Sequence, residues 1–340
     1  MHNAVRNHPQ AGFSLVELMV ATTMGLLVFA ALITIFVQTS AARAELERTS
    51  EQIDNARYAI EVLSQDLQLA GYYGEFDVAA LAVPAAIPDP CSTDPAVWAA
   101  AIPIHVQGYD EGSGIPACVP GSLKAATDVV AVRRARTCVA GSAGCDPVVP
   151  AEAYLQVALC GTSNSYLLGP AAATNFSLTL KDCAAPAGLR RYVVHVYFVS
   201  SDNGSGLDIP TLKRIEFTGS GFVEVALVEG IERLQIQYGL DLDGDGSPDA
   251  YTSDPTTYAP AGCASCNPAS NWANVVTANI YVLARTLEPS PSYTDTKTYE
   301  LGADASGAPI TAGPFGDKYR RHVYSAAVRL MNPSGRRDKP

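Results

Sequence analysis

Between Phe13 and Val37 the chain has no lysine, arginine or aspartate, and between Pro9 and Pro84 it has no proline. The first absence leaves an apolar run of 25 residues. As a helix that run would reach about 37 Å, enough to cross a bilayer with some tilt. The second absence removes the usual helix breaker from everything up to Pro84. Basic residues are also scarce, 23 against 34 acidic, for a net charge of −11. That balance argues against a nucleic-acid partner, because phosphate binding needs clustered Lys and Arg. No Gly-x-Ser-x-Gly, no Walker loop and no Gly-x-Gly-x-x-Gly in a strand-turn-helix context occurs. Of five histidines, His2 and His8 lie at the extreme N-terminus, and His195 and His322 fall within strand-like runs, which leaves His105. No catalytic set emerges, and the expectation is a protein that is not an enzyme. The 16 Tyr and 9 Phe suit sheet packing and subunit contacts better than a cofactor pocket. At 340 residues and 48% hydrophobic content, the chain is long enough for one large or two small domains beyond the apolar run.

At the head of that run stands Ala11-Gly12-Phe13-Ser14-Leu15-Val16-Glu17. An ionised carboxylate within a membrane helix costs roughly 2.5–3.5 kcal/mol even on lenient insertion scales, so Glu17 is a functional candidate that needs a partner. A secretory signal cut near Ser40-Ala41-Ala42 is one alternative, but its apolar core usually runs about 7–15 residues. A plain membrane anchor is another. Both leave Glu17 unexplained. The stretch resembles the type III signal of type IV prepilins and type II secretion pseudopilins. That resemblance implies cleavage by a prepilin peptidase between Gly12 and Phe13, N-methylation of Phe13, retention of the apolar segment, and an assembly role for Glu17. Arg6, with no acidic residue before Glu17, suits a cytoplasmic N-terminus.

The helix is expected to continue past the membrane. Residues 38–70 are rich in Ala, Glu, Gln, Arg and Leu, and Leu46, Ile53, Ile60 and Leu67 recur every seven residues. Ala42, Thr49, Ala56, Leu63 and Ala70 interleave to complete one apolar stripe, which serves either a coiled coil or a helix laid against a sheet. Gly71 supplies a left-handed stop. Residues 77–127, dense in Ala, Pro, Gly and Ser, read as long loops with little regular structure. Strand-like runs follow at Asp128–Ala135, Ala153–Leu159, Arg191–Ser200, Leu212–Phe217, Phe222–Ala226, Ile231–Leu240, Val275–Thr286 and Arg321–Leu330. Strands without long intervening helices predict an α+β fold in which the N-terminal helix covers one face of an antiparallel sheet. The implied organisation is a leader over 1–12, a transmembrane or filament-core helix over 13–37, an amphipathic helix over 38–71 and a β-rich globular domain over 72–340.

Several runs extend the resemblance. Asp66-Leu67-Gln68-Leu69-Ala70-Gly71-Tyr72-Tyr73-Gly74 is similar to the helix exit of PilW-type minor type IV pilins, and Leu227 through Gly239 to an internal strand of that family. Trp272 followed by Val275–Arg285, and Arg320 through Asn332, are similar to its last two strands. The likeness covers the first 75 residues and most of 190–335, but not 77–190. It implies a minor pilin, held in the inner membrane with a periplasmic domain and then carried into the pilus. Such a pilin would prime assembly or take part in it, alongside other minor pilins, the major pilin, the prepilin peptidase, the inner-membrane assembly platform and a tip adhesin. A J-type minor pseudopilin of type II secretion shares the helix and strands. A membrane-anchored periplasmic enzyme or calcium-dependent binding protein is the alternative of another class.

Cysteine is absent before Cys91, and the eight present, an even number, suit a disulfide-permissive compartment. Local spacing suggests Cys138–Cys145 and Cys263–Cys266. The other four allow three connectivities, of which Cys91–Cys118 with Cys160–Cys183 is the simplest. Cys263 and Cys266 also have redox-pair or half-zinc spacing, but they lie in a Pro/Gly/Asn loop rather than opening a helix. Asp241, Asp243, Asp245 and Asp249, with Gly244 and Gly246 among them, match the start of a calcium loop. The twelfth position is Thr252 rather than a bidentate Glu, so a calcium site and a solvated acidic turn both stay open. From the N-terminal motif, mass spectrometry of the mature chain is expected to find a methylated Phe13 at its start. A start near Ala42 or Ala44 would overturn the pilin resemblance.

Overall fold

The structure, a computed structural model, describes residues 12–112, 114–161, 164–219, 221–261, 263 and 266–337. The chain divides into two compact units, residues 1–50 and 51–340. Helix α1 (Leu15–Leu69) is continuous for 55 residues through both, as the lack of proline predicts. In the first unit its apolar side chains are exposed, Phe13 by 89% and Phe36 by 73%. Among the described residues α1 is the one helix long and apolar enough to cross a membrane. Its polar atoms are satisfied locally. The hydroxyls of Thr22, Thr23, Thr34 and Thr39 donate to carbonyls three or four residues back, which is what a lipid-facing helix requires of its threonines.

In the second unit α1 buries Gln52, Ala56, Ala59, Leu63, Asp66 and Leu67. The buried face is therefore turned from the expected stripe. Ile53 and Ile60 are only half-buried, while Ala59 and two polar side chains lie at the centre. Alanine lets strands approach the helix closely, and the polar pair has partners described below. The helix stops as expected at Gly71, whose φ of 70° is left-handed. The Gly71 N–H then donates to the Arg133 carbonyl, and the Ala135 N–H to that of Tyr72, tying the exit to the neighbouring strand.

The described residues of the globular unit hold α2 (Pro95–Ala101), α3 (Pro268–Ala273), α4 (Met331–Arg337) and thirteen strands. Strands β1 (Val106–Tyr109), β2 (Val129–Ala135), β3 (Ala153–Val157), β4 (Tyr166–Pro170), β5 (Leu189–Ser200), β6 (Thr211–Phe217) and β7 (Phe222–Glu229) form one antiparallel sheet. Long β5 is its axis. Its middle, Tyr192–Tyr197, pairs with β2, while Leu189–Arg191 pair with β3 and His195–Ser200 with β6. A second antiparallel sheet, ordered β13-β10-β8-β9, consists of β8 (Ile231–Leu240), β9 (Ala250–Thr252), β10 (Val275–Arg285) and β13 (Arg321–Arg329). Strands β11 (Tyr299–Ala303) and β12 (Pro309–Ala312) make a hairpin.

The α+β class and the antiparallel strands agree with expectation; the layering differs. Among the described residues there are two larger sheets beside the hairpin, and the central strands of the bigger one are buried on both faces. Val130 and Val132 of β2 enter a core shared with α1 and the second sheet, whereas Val129 and Ala131 enter another with Tyr73, Trp98 and Phe198. A small third core gathers Leu283, Tyr299, Leu301 and Ala312 around the hairpin. Residues 77–127 also depart from the expected loops, since they contain α2 and β1. Asp94 accepts the Ala96 N–H to cap α2, Pro95 opens it, and Trp98 buries its face.

Candidate functional site

At the head of α1 the Gly12–Phe13 junction stands free. A Cβ added to Gly12 would meet no atom within 4 Å, so nothing in the fold requires glycine there. Glu17 has a local role that its membrane position obscured. Its Oε2 accepts the Ser14 N–H at 3.0 Å, while Ser14 Oγ accepts the Val16 N–H at 3.4 Å. This is a Ser-x-x-Glu capping box, legible in the spacing of Ser14 and Glu17 and missed beside the cost of the charge.

The acidic loop leaves β8 and returns as β9. Asp241, 1% exposed, accepts from the N–H groups of Gly244 (2.6 Å) and Gly246 (3.0 Å) and from Arg337 Nη1 of α4 (3.2 Å). Burial pushes its carboxyl up, but the Gly246 and Gly244 bonds and the Arg337 guanidinium outweigh this and hold it below the usual range. Asp243 and Asp249 converge on it, with one carboxylate oxygen from each of the three lying within 4.8 Å of the others. Asp245 stands outside that group and accepts the Ser247 N–H. Thr252 lies in β9 opposite Tyr238.

The eight cysteines pair as Cys91–Cys118, Cys138–Cys145, Cys160–Cys183 and Cys263–Cys266. Each bridge closes an irregular stretch or one with short elements only.

Two charge clusters were not foreseen. Asp66 of α1 accepts Arg134 Nε at 2.6 Å, His195 Nδ1 at 2.6 Å and the Tyr197 hydroxyl at 2.7 Å. An ionised carboxylate only accepts, so Nδ1 carries the imidazole proton. The ring's Nε2 lies 3.6 Å from Glu216, which Arg214 also faces. Burial raises the Asp66 carboxyl, but the His195 bond and charge, then Arg134, hold it well below the ordinary range. The His195 bond depresses Glu216 to about 2. In the second cluster Arg321 of β13 binds Glu232 of β8, Asp295 at 2.9 Å and Asp317 at 2.6 Å.

Residues 7–33 match the family model described as the prokaryotic N-terminal methylation motif, and residues 196–332 match that of Type IV Pilus-assembly protein W. The second match contains all four residues of the Arg321 cluster. The chain matches no curated protein and no solved structure. These two matches, with the exposed apolar helix and the antiparallel sheets that follow it, support a type IV pilin. Within that class the chain is PilW-like, a minor pilin related to the type IV pilus.

Asp66 generates an acid-stability prediction. Its folded pKa is depressed, so its contribution is complete above the unfolded value and is lost as pH falls from about 4 towards the folded one. Asp66→Asn is expected to cost about 3–5 kcal/mol at neutral pH, because the Arg134 guanidinium loses its carboxylate partner. Denaturant unfolding at pH 7 and pH 3 should show the wild type losing more stability on acidification than the variant. Parallel losses would remove Asp66 from this role.

Proposed function

We propose that this minor pilin primes pilus assembly or takes part in it, within a complex of other minor pilins and the major pilin that carries a tip adhesin. It would be held first in the inner membrane with the globular unit in the periplasm, processed by the prepilin peptidase, and extracted through the assembly platform. It acts by assembly rather than by catalysis. One observation carries this reading: a continuous helix whose apolar part, up to Val37, bears a single carboxylate, Glu17, beside a Gly12–Phe13 junction where the fold itself has no use for glycine.

After cleavage the methylated Phe13 amine is a cation at the depth of Glu17. A pair between neighbouring subunits would offset much of the desolvation that each charge suffers alone. The capping box supplies the control, since glutamine can keep the bond to the Ser14 N–H while losing the charge. Glu17→Ala and Glu17→Gln should both insert and be processed, yet fail to crosslink to partner pilins in membranes. Glu17→Asp should be intermediate. Wild-type crosslinking by Glu17→Gln would show that Glu17 serves the cap and not docking.

The acidic loop is proposed to take calcium, on the convergence of Asp241, Asp243 and Asp249. Calcium needs six to eight oxygens, so backbone and water must supply the remainder. A ligand that binds only the native state raises apparent stability. Millimolar calcium is therefore expected to raise the melting temperature of the full chain over that in chelator, and Asp243→Ala to remove the difference. Superimposable wild-type curves would leave an ordinary acidic turn.

A further inference from the structure

Among the described residues five strands bound the two larger sheets, and four of these edges are blunted. Strands β1 and β9 offer only four and three residues. Strand β4 closes on Pro170, and β13 exposes His322 and Arg329. Short edges, proline and charge are the usual guards against pairing with another chain. Strand β7 has eight residues with no proline and no cation, and it pairs with β6 alone. Its register shows which groups it presents. The Thr218 N–H donates to the Gly221 carbonyl at the turn, so Glu216–Val223 and Arg214–Val225 are the hydrogen-bonded pairs that follow. The intervening Phe222, Glu224 and Ala226 therefore turn N–H and C=O to the free side. A bulge at Leu227 ends this regular stretch. The edge is held from both ends. The Phe222 ring packs on Phe217, and the Gly230 N–H donates to the Pro210 carbonyl.

The side chains along this edge define the strand that fits it. Val223, 45% exposed, and half-buried Val225 stand on one face. On the other face Glu224 Oε1 accepts Lys213 Nζ at 2.7 Å, and the same ammonium donates to Asp202 at 3.2 Å. One buried cation thus serves two carboxylates, and a net negative charge stays at the middle of the edge. We propose that β7 receives an extended segment of a different pilus subunit as a further antiparallel strand along Phe222–Ala226. That segment places apolar side chains beside Val223 and Val225 and a lysine or arginine opposite Glu224. Backbone pairing supplies the affinity of such an added strand, and alternate side chains supply its specificity. A second copy of β7 holds no cation, since its charges are Glu224 and Glu229. Self-pairing would gather glutamates on one edge in a chain of net −11.

That the segment comes from a pilus subunit rests on the proposed function; the pairing chemistry of the edge does not. The test therefore has two arms. In the first, detergent-solubilised full-length protein is titrated with acetyl-Thr-Val-Lys-Val-Thr-amide and with the same peptide carrying Glu in place of Lys. The lysine peptide should bind at least about threefold more tightly. N-methylation of its central residue, whose N–H would meet the Glu224 carbonyl, should abolish binding. N-methylation of a flanking valine, whose N–H points away from β7, should not. Ala226→Pro removes an outward N–H but no bond to β6, and should weaken binding at least about tenfold. Should that variant not fold, Glu224→Gln, which keeps an acceptor for Lys213, should bind the two peptides equally. No saturable binding, no preference for lysine in the wild type, or unchanged binding by the centrally methylated peptide or by folded Ala226→Pro would overturn the docking edge. In the second arm, a photo-crosslinker at exposed Val223 is expected to trap a different pilin in membranes. Crosslinking only to a second copy, or to nothing, would overturn the assigned occupant even if the peptide binds.

Discussion

The globular unit depends on a carboxylate that apolar packing alone would exclude. Asp66 lies on the buried face of α1, and its cost of burial is offset only because β2 supplies Arg134 and β5 supplies His195 and Tyr197 in one place. Two heptads earlier, Gln52 on the same face donates to the Ala284 carbonyl of β10 at 2.7 Å. The helix is thus pinned to the larger sheet through Asp66 and to the smaller one through Gln52. A stripe of Ala and Leu tolerates rotation or a slip by one turn; two directional contacts separated along the axis do not. At the exit, Arg336 donates both terminal nitrogens to the Gly71 carbonyl, so the C-terminal helix closes the end of the N-terminal one.

Legibility in the sequence followed the length and periodicity of each element. The 55-residue helix, its stop at Gly71 and strands such as Ile231–Leu240 could be read directly, since long unbroken patterns outweigh local noise. The double burial of β2 and β5 was harder to read, because their apolar runs, the mark of a strand covered on both faces, are interrupted by Arg133 and Arg134 in one and His195 in the other. Strands of three to five residues, such as β9 and β12, carry too few positions to show alternation. In 77–127 the alanine and proline content suggested loops, yet proline at the first turn of α2 starts a helix.

At the functional sites the same limit takes a chemical form. Gly12, Phe13 and Glu17 were legible because a charge and a small residue stand out beside an apolar run. The shared pocket of Asp66, Arg134 and His195 was not, since its members are separated by 68 and 129 positions and only the folded sheet brings them together. The acidic loop lies between these cases. Its spacing is visible, but the guanidinium that α4 brings to Asp241 Oδ2 is not, and only the fold shows that one of the three converging carboxylates already has a cationic neighbour.

The two charge clusters also differ in what they hold. The Asp66 cluster joins the stalk helix to the large sheet, so a pull on α1 loads a charge-assisted network. The Arg321 cluster joins β13 and β8 to the segment around Asp295 and Asp317, where Phe315 also lies 3.7 Å beneath the guanidinium. Arg285 over Tyr319 and Arg320 over Tyr293 repeat the arrangement along the same edge. Directional contacts of this kind resist sliding better than apolar area does, because small displacements break hydrogen bonds before they expose much surface. Asp66 and Gln52 place such contacts where the helix meets the sheets, so a slide of α1 along either sheet would break a directional bond before it exposed apolar area.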